Sequence, residues 1–164
     1  MRHVRLMQSL WRKSVVVETD VANAFNIFAE RHGSGWPLLT HHIGKVPAQT
    51  AVIEPRDGGR WFERGEDGSE CEWGRVLVWD PPKRLVLAWQ IDATWQYDPD
   101  LLIEVDVRFI AEGPRTTRVD LEHRKLENFG EPAGKMRTLL DGPGAWEGIL
   151  KIYSEYLPKE EESK

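Results

Sequence analysis

Cysteine is almost absent from this chain. The one residue of that type, Cys71, excludes an internal disulfide and any site built from several thiolates, whether zinc or iron–sulfur. Long apolar runs are missing too, since no stretch approaches the roughly 18 consecutive residues that span a bilayer. The N-terminal stretch through Lys13 is basic, but it has neither the apolar centre nor the small-residue cleavage signal of a secretory leader. The cytoplasm is therefore the expected compartment. Nor is there an excess of positive charge. Lys and Arg total 22 against 27 Asp and Glu, a net charge of −5, whereas a nucleic-acid binder depends on neutralising phosphates.

What the chain has in plenty is tryptophan: 8 residues, with 5 Phe and 3 Tyr, in a length of 164. Large aromatics carry the most buried apolar area per residue, so 8 indoles imply a thick core or a lined cavity. The length fits one domain, which at this size buries roughly 70% of the extended chain's surface without staples. Residues 1–10 read as an N-terminal arm, 11–158 as a single domain, and 159–164, with their run of glutamates, as a disordered tail.

Hydrophobic periodicity assigns the elements. Val15 to Glu18 is a β-branched run. Thr19-Asp20 then offers an N-cap, Val21, Phe25 and Phe28 follow at helical spacing, and Gly33 is a candidate stop. Trp36 to Leu39 suggests one more helical turn. From about Thr50 the period changes to two. Strands are expected at 51–54, 60–64, 70–79, 84–91, 101–110 and 117–126, separated by Gly- and Pro-rich turns too short for parallel crossovers. Leu101, Ile103, Val105, Val107 and Phe109 share one strand face, and Glu104, Asp106 and Arg108 the other. Thr117, Val119, Leu121 and His123 repeat the pattern against Arg118, Asp120, Glu122 and Arg124. Pro143 suits the first turn of a last helix, whose Trp146, Ile149, Leu150, Tyr153, Tyr156 and Leu157 form one apolar stripe. That helix is the natural cover for the sheet.

Three stretches stand out: Pro55 to Glu63 around Gly58-Gly59, Gly74 to Trp89 through Pro81-Pro82, and Thr117 to Arg124, with Trp146 opening the last helix. With this order of elements they resemble the helix-grip, α+β fold of the START-like (SRPBCC) superfamily, shared with the birch-pollen-allergen-like proteins. More narrowly the chain is similar to the homologues of the heat-shock-protein-90 ATPase activator. The resemblance implies a curved antiparallel sheet wrapped around a long C-terminal helix, with a cavity between them for a hydrophobic or amphipathic small molecule. Strand parity and the helix stripe nominate Trp89, Ile103, Val105, His123, Trp146, Leu150 and Tyr153 as its lining. A dry, filled core is the plain alternative.

Several polar residues are candidates for chemistry. An imidazole in an apolar cavity, as at His123, orients a ligand or moves a proton near neutral pH, or is simply a buried, satisfied histidine. His32, His41 and His42 lack further ligands at metal-binding spacing, so no metal is expected and no motif calls for a cofactor. Glu70 and Glu72 share a strand face and read as solvated. Arg56, Arg60 and Arg64 cluster at the Gly-Gly hairpin, where one could meet a ligand carboxylate. Cys71 has no evident histidine partner. The first functional reading is therefore a non-catalytic binder of a small hydrophobic or aromatic ligand, with no nucleic-acid partner and no membrane span. The alternatives are a polyketide cyclase or dehydratase acting in the same cavity, and a co-chaperone-like activator of a heat-shock ATPase with a protein partner. A homodimer is compatible with each.

Overall fold

The computed structural model describes residues 11–29, 46, 48–141, 149–151 and 153–155. The strands are β1 (Trp11–Val17), β2 (Ala48–Ile53), β3 (Arg60–Gly65), β4 (Glu70–Asp80), β5 (Arg84–Trp89), β6 (Ile103–Gly113) and β7 (Thr116–Arg124). They make one antiparallel sheet in the order β1-β7-β6-β5-β4-β3-β2. From β2 to β7 each strand pairs with its neighbour in sequence, as short turns require, and only β1 reaches across to β7. Register shifts in four of the strand pairs mark bulges, which bend strands and raise twist. The sheet accordingly curls around its apolar face.

Helix α1 (Val21–Ala29) follows β1 and packs on β6 and β7. Asp20 caps it, its carboxylate accepting the Asn23 backbone N–H at 2.7 Å. Its inward residues Phe25 and Phe28 meet Phe109 edge-to-face, at ring separations of 5.1 and 5.8 Å. A 3-10 turn (Leu126–Phe129) and helix α2 (Ala133–Asp141) come after β7. Residues 149–151 and 153–155 are helical, with Ile149, Leu150 and Tyr153 buried. The remaining span of the expected C-terminal helix, the turn at 36–39, the histidines at 32, 41 and 42, and both chain ends lie outside the described residues.

The apolar side of the sheet is continuous. Leu85 and Leu87 on β5, Ile103, Val105, Val107 and Phe109 on β6, and Val119 and Leu121 on β7 join one core cluster. The opposite, convex side is charged, but not uniformly wet. Asp106, expected on the solvated face of β6, is only 2% exposed, because three arginines close over it. Arg84, Arg124 and Arg108 reach its carboxylate at 2.8, 3.0 and 3.3 Å. Burial alone would push this carboxyl up; the hydrogen bonds from Arg84 and Arg108, with the charges of Arg84 and Arg124, more than offset it and hold the carboxyl below its ordinary range. Breaking such a pair costs ~3–5 kcal/mol when both partners are buried. Here Arg84 and Arg108 are about half solvated, so Asp106→Asn is expected to lower stability by ~2 kcal/mol, measured by urea unfolding at neutral pH.

Candidate functional site

The concave face gathers four of the nominated residues into one patch. Trp89 pairs with Ile103 across β5 and β6, and Val105 pairs with His123 across β6 and β7. All four are buried, with Ile103, Val105 and His123 at 0% exposure. The Trp89 and His123 rings meet edge-to-face at 5.4 Å, and the Trp89 indole N–H donates to the Ile91 carbonyl at 2.9 Å. Both rings are therefore fixed in orientation.

The patch continues beyond the residues nominated from sequence. Trp61 on β3 packs edge-to-face with Trp89 at 6.0 Å, and Trp73 on β4 with Trp61 at 5.6 Å. A single array, Trp73–Trp61–Trp89–His123, thus crosses from β3 and β4 through β5 to β7. Gly74 lies at the centre of this array. It is the β4 residue paired with both Trp61 and Trp89, and the lack of a Cβ there lets the β5 backbone at Ala88 approach closely. The array ends on a carboxylate: Glu63, 1% exposed, accepts the Trp73 Nε1–H at 2.8 Å. Trp61, Glu63 and Trp73 were legible only in part. Trp61 and Glu63 share a face by simple alternation, whereas Trp73 sits where a register shift between Trp61 and Phe62 breaks the period of two.

Tyr153 lies elsewhere on the same core. Its hydroxyl donates to the Ala24 carbonyl at 2.7 Å, and its ring packs on Phe28 at 5.3 Å. Phe28 in turn meets Phe109, six residues along β6 from Ile103, a distance of ~20 Å. This phenol anchors the C-terminal segment on α1, and burial pushes its pKa up. Leu150 is buried in the same core cluster. Trp146 lies outside the described residues.

The electrostatics of the patch follow from its dryness. Burial pulls the His123 pKa down to about 3, because a charged imidazolium has lost its water. The ring is therefore neutral at physiological pH, a hydrogen-bonding and stacking group and not a resident cation. Cys71, the ladder partner of Glu63, also stays neutral. Burial chiefly, then the charge of Glu63, pushes its thiol up.

Other candidates are occupied by their own ion pairs. Arg60 bonds both Glu70 and Glu72, Arg64 bonds Glu70, and Arg56 bonds Glu54. The arginine cluster and the two glutamates thus form one salt-bridged convex surface, with Arg60 and Arg64 also lying over the Phe62 ring. A hollow of about 450 Å3 on the convex side is lined by Arg12, Ser14, Asp106, Arg108, Asp120 and Glu122 among others. Those polar groups pair with one another. No cluster of three His, Cys, Asp or Glu fit for a metal occurs among the described residues, and no helix among them is long and apolar enough to cross a membrane.

Comparison with known proteins places this geometry. The family model described as activator of Hsp90 ATPase homolog 1-like protein matches residues 19–147. The chain belongs to that family. Its structural neighbours are of the SRPBCC type. The anthrahydroquino-γ-pyrone synthase Txn09 is 39% identical over 89% of this chain and 95% of its own, with a TM-score of 0.63. CalC, a self-sacrificing resistance protein from Micromonospora echinospora, is 32% identical over 93% of this chain and 96% of its own, with a TM-score of 0.70. Protein NE0264 from Nitrosomonas europaea, 14% identical with a TM-score of 0.63 over 94% of this chain and 97% of its own, shares the fold alone. A search of curated proteins finds no match to this chain.

Proposed function

We propose that this family member binds a planar, polycyclic aromatic molecule of the polyketide type on the concave face of its sheet. The observation that carries the reading is the array of three indoles and one imidazole, held edge-to-face at 5.4–6.0 Å. Such a wall offers ring faces and edges to a flat guest, and each aromatic contact adds ~0.5–1.5 kcal/mol beyond the area it buries. Trp89, Ile103, Val105 and His123 form the floor in this reading. Leu150 covers them from the C-terminal helical segment in this reading, and Tyr153 ties that segment to α1; the nominated Trp146 lies outside the described residues. The buried side chains of Ile149, Leu150 and Tyr153 support such a cover. The name of Txn09, a relative at 39% identity, denotes a synthase of a fused aromatic product, and this supports the class of ligand.

Catalysis in the same site is the second reading, and the identity to that synthase is the observation that favours it. Against this stands CalC, a resistance protein at 32% identity; binding an aromatic guest is the step that we infer for this chain in either case. The test is a tryptophan-fluorescence titration with 2-hydroxyanthraquinone beside palmitate as a flexible apolar control. Saturable binding of the quinone, at least ~10-fold tighter than palmitate and weakened ~10-fold in Trp89→Ala, is expected. Equal or tighter binding of palmitate would remove the aromatic specificity, and no saturable binding of the quinone would remove the reading.

A further inference from the structure

Away from the aromatic array, one hollow gathers cations around an apolar surface. Strand β5 begins at Arg84, opposite Arg108, while β6 runs on to Gly113. The Phe109 N–H still reaches the Lys83 carbonyl of the β4–β5 turn, at 2.9 Å, and past it no strand pairs with β6 on that side. The notch is a hollow of about 590 Å3, with apolar walls from Val21 at the start of α1, Pro82 of the turn, and Ile110 and Ala111 of β6. It is remote from the array, since Phe109 lies six residues, ~20 Å, along β6 from Ile103.

Lys83, Arg84 and Arg108 line the same hollow. Arg84 and Arg108 face each other across the ladder, where like charges repel, and Asp106 holds both. Its grip is uneven: 2.8 Å to Arg84, but 3.3 Å to Arg108, whose side chain is 56% exposed. The third arginine on Asp106, Arg124, has Glu104 and Glu122 as further partners. Lys83 is exposed and makes no ion pair with any described residue. Asp80 is the one carboxylate lining the hollow. Three cations thus meet two carboxylates, Asp80 and Asp106, and one positive charge is left over in a chain whose net charge is −5.

We infer that this notch is a second ligand site, for a small monocarboxylate with an apolar body. The carboxylate accepts from the Lys83 ammonium and the Arg108 guanidinium, and the hydrocarbon covers Val21, Pro82, Ile110 and Ala111. One negative charge balances the surplus, and charge-assisted hydrogen bonds are the stronger kind. The apolar body adds what the cations lack, since its burial contributes about 25 cal/mol per Å2 removed from water. The site is independent of the aromatic reading of the concave face, and either can fail without the other.

The experiment titrates the full chain with 3-phenylpropionate and with its neutral counterpart, 3-phenylpropanol, at neutral pH and low salt, following backbone N–H signals by nitrogen–proton correlation. The carboxylate is expected to bind saturably, to shift the signals of Lys83, Ile110 and Ala111, and to bind ~10-fold tighter than the alcohol. Lys83→Met keeps the length of the stem without its charge and should weaken the carboxylate ~5-fold while leaving the alcohol unchanged. Asp80→Asn removes the competing carboxylate and should tighten binding ~3-fold, a gain that misfolding does not imitate. Equal affinity for acid and alcohol, or a carboxylate affinity unmoved by both substitutions, would overturn the site. So would shifts confined to the indole signals of Trp61, Trp73 and Trp89, which would put the acid on the concave face instead.

Discussion

Gly74→Ala is expected to unfold the protein or cost it more than ~3 kcal/mol. A Cβ built at this position would stand 1.7 Å from the Ala88 carbonyl oxygen and 2.9 Å from its carbon, both backbone atoms of β5. No side-chain rotation relieves such a contact, so β4 and β5 would have to separate where Gly74 pairs with Trp89. The added methyl would only touch the Trp61 ring, at 3.4 Å, so the clash is with the backbone of β5. Gly134→Ala is the matched control. It lies in α2 with nothing within 4 Å of the new Cβ, and should raise stability by up to ~1 kcal/mol. Urea unfolding of both variants gives opposite signs in this account. A Gly74→Ala protein as stable as the wild type would mean that the β4–β5 contact yields freely.

His123 should make stability depend on pH in a window where carboxylates contribute little. Its pKa is about 3 in the folded protein against an ordinary 6.5. Between those values the unfolded chain binds a proton that the native state refuses. Stability from this group is therefore complete above about pH 6.5 and is lost as pH falls toward 3, with a slope near ~1.4 kcal/mol per pH unit. Between about pH 7 and pH 5 the wild type should lose ~2 kcal/mol more than His123→Phe, which keeps a ring against Trp89 but cannot titrate. The carboxyls held low by their partners, such as Asp106 and Asp92, protonate below this window. Unfolding curves recorded at several pH values check it. Parallel losses in the two proteins would show that the imidazole reaches water in the native state.

The strands were legible because their periods are clean. On β7 the burial alternates without a break from Thr116 to Arg124, so parity alone put Val119, Leu121 and His123 on one face. The same parity linked Trp89, Ile103 and Val105, and thus the floor of the patch. Strand ends were less visible. The expected strand through Ile91 stops at Trp89, because Ile91 pairs with Tyr97 in the loop instead. The expected strand through Leu126 stops at Arg124, where Lys125 turns left-handed at φ 63 and begins the 3-10 turn.

The span of helix α2 is not predicted as an element from the sequence, although Pro132 just before it and Met136 within it are the kind of signal that helices carry. Its Gly134, among the weakest helix formers, obscured the pattern. Asp106 reads as solvated from alternation, since sequence does not reveal that three arginines from β5, β6 and β7 fold over it. Trp73 and its link to Glu63 depend on a register shift, which breaks the alternation that assigns a residue to a face.

The most direct test of the aromatic site observes the indoles themselves. In a nitrogen–proton correlation spectrum each tryptophan gives one Nε1–H signal, and Trp→Phe substitutions assign them. Titration with 2-hydroxyanthraquinone should shift the signals of Trp61, Trp73 and Trp89 together, with one dissociation constant. The signal of Trp95, 45% exposed in the loop after β5, should stay in place. Binding that moves Trp95 and leaves the three array signals unchanged would contradict a ligand site on the concave face.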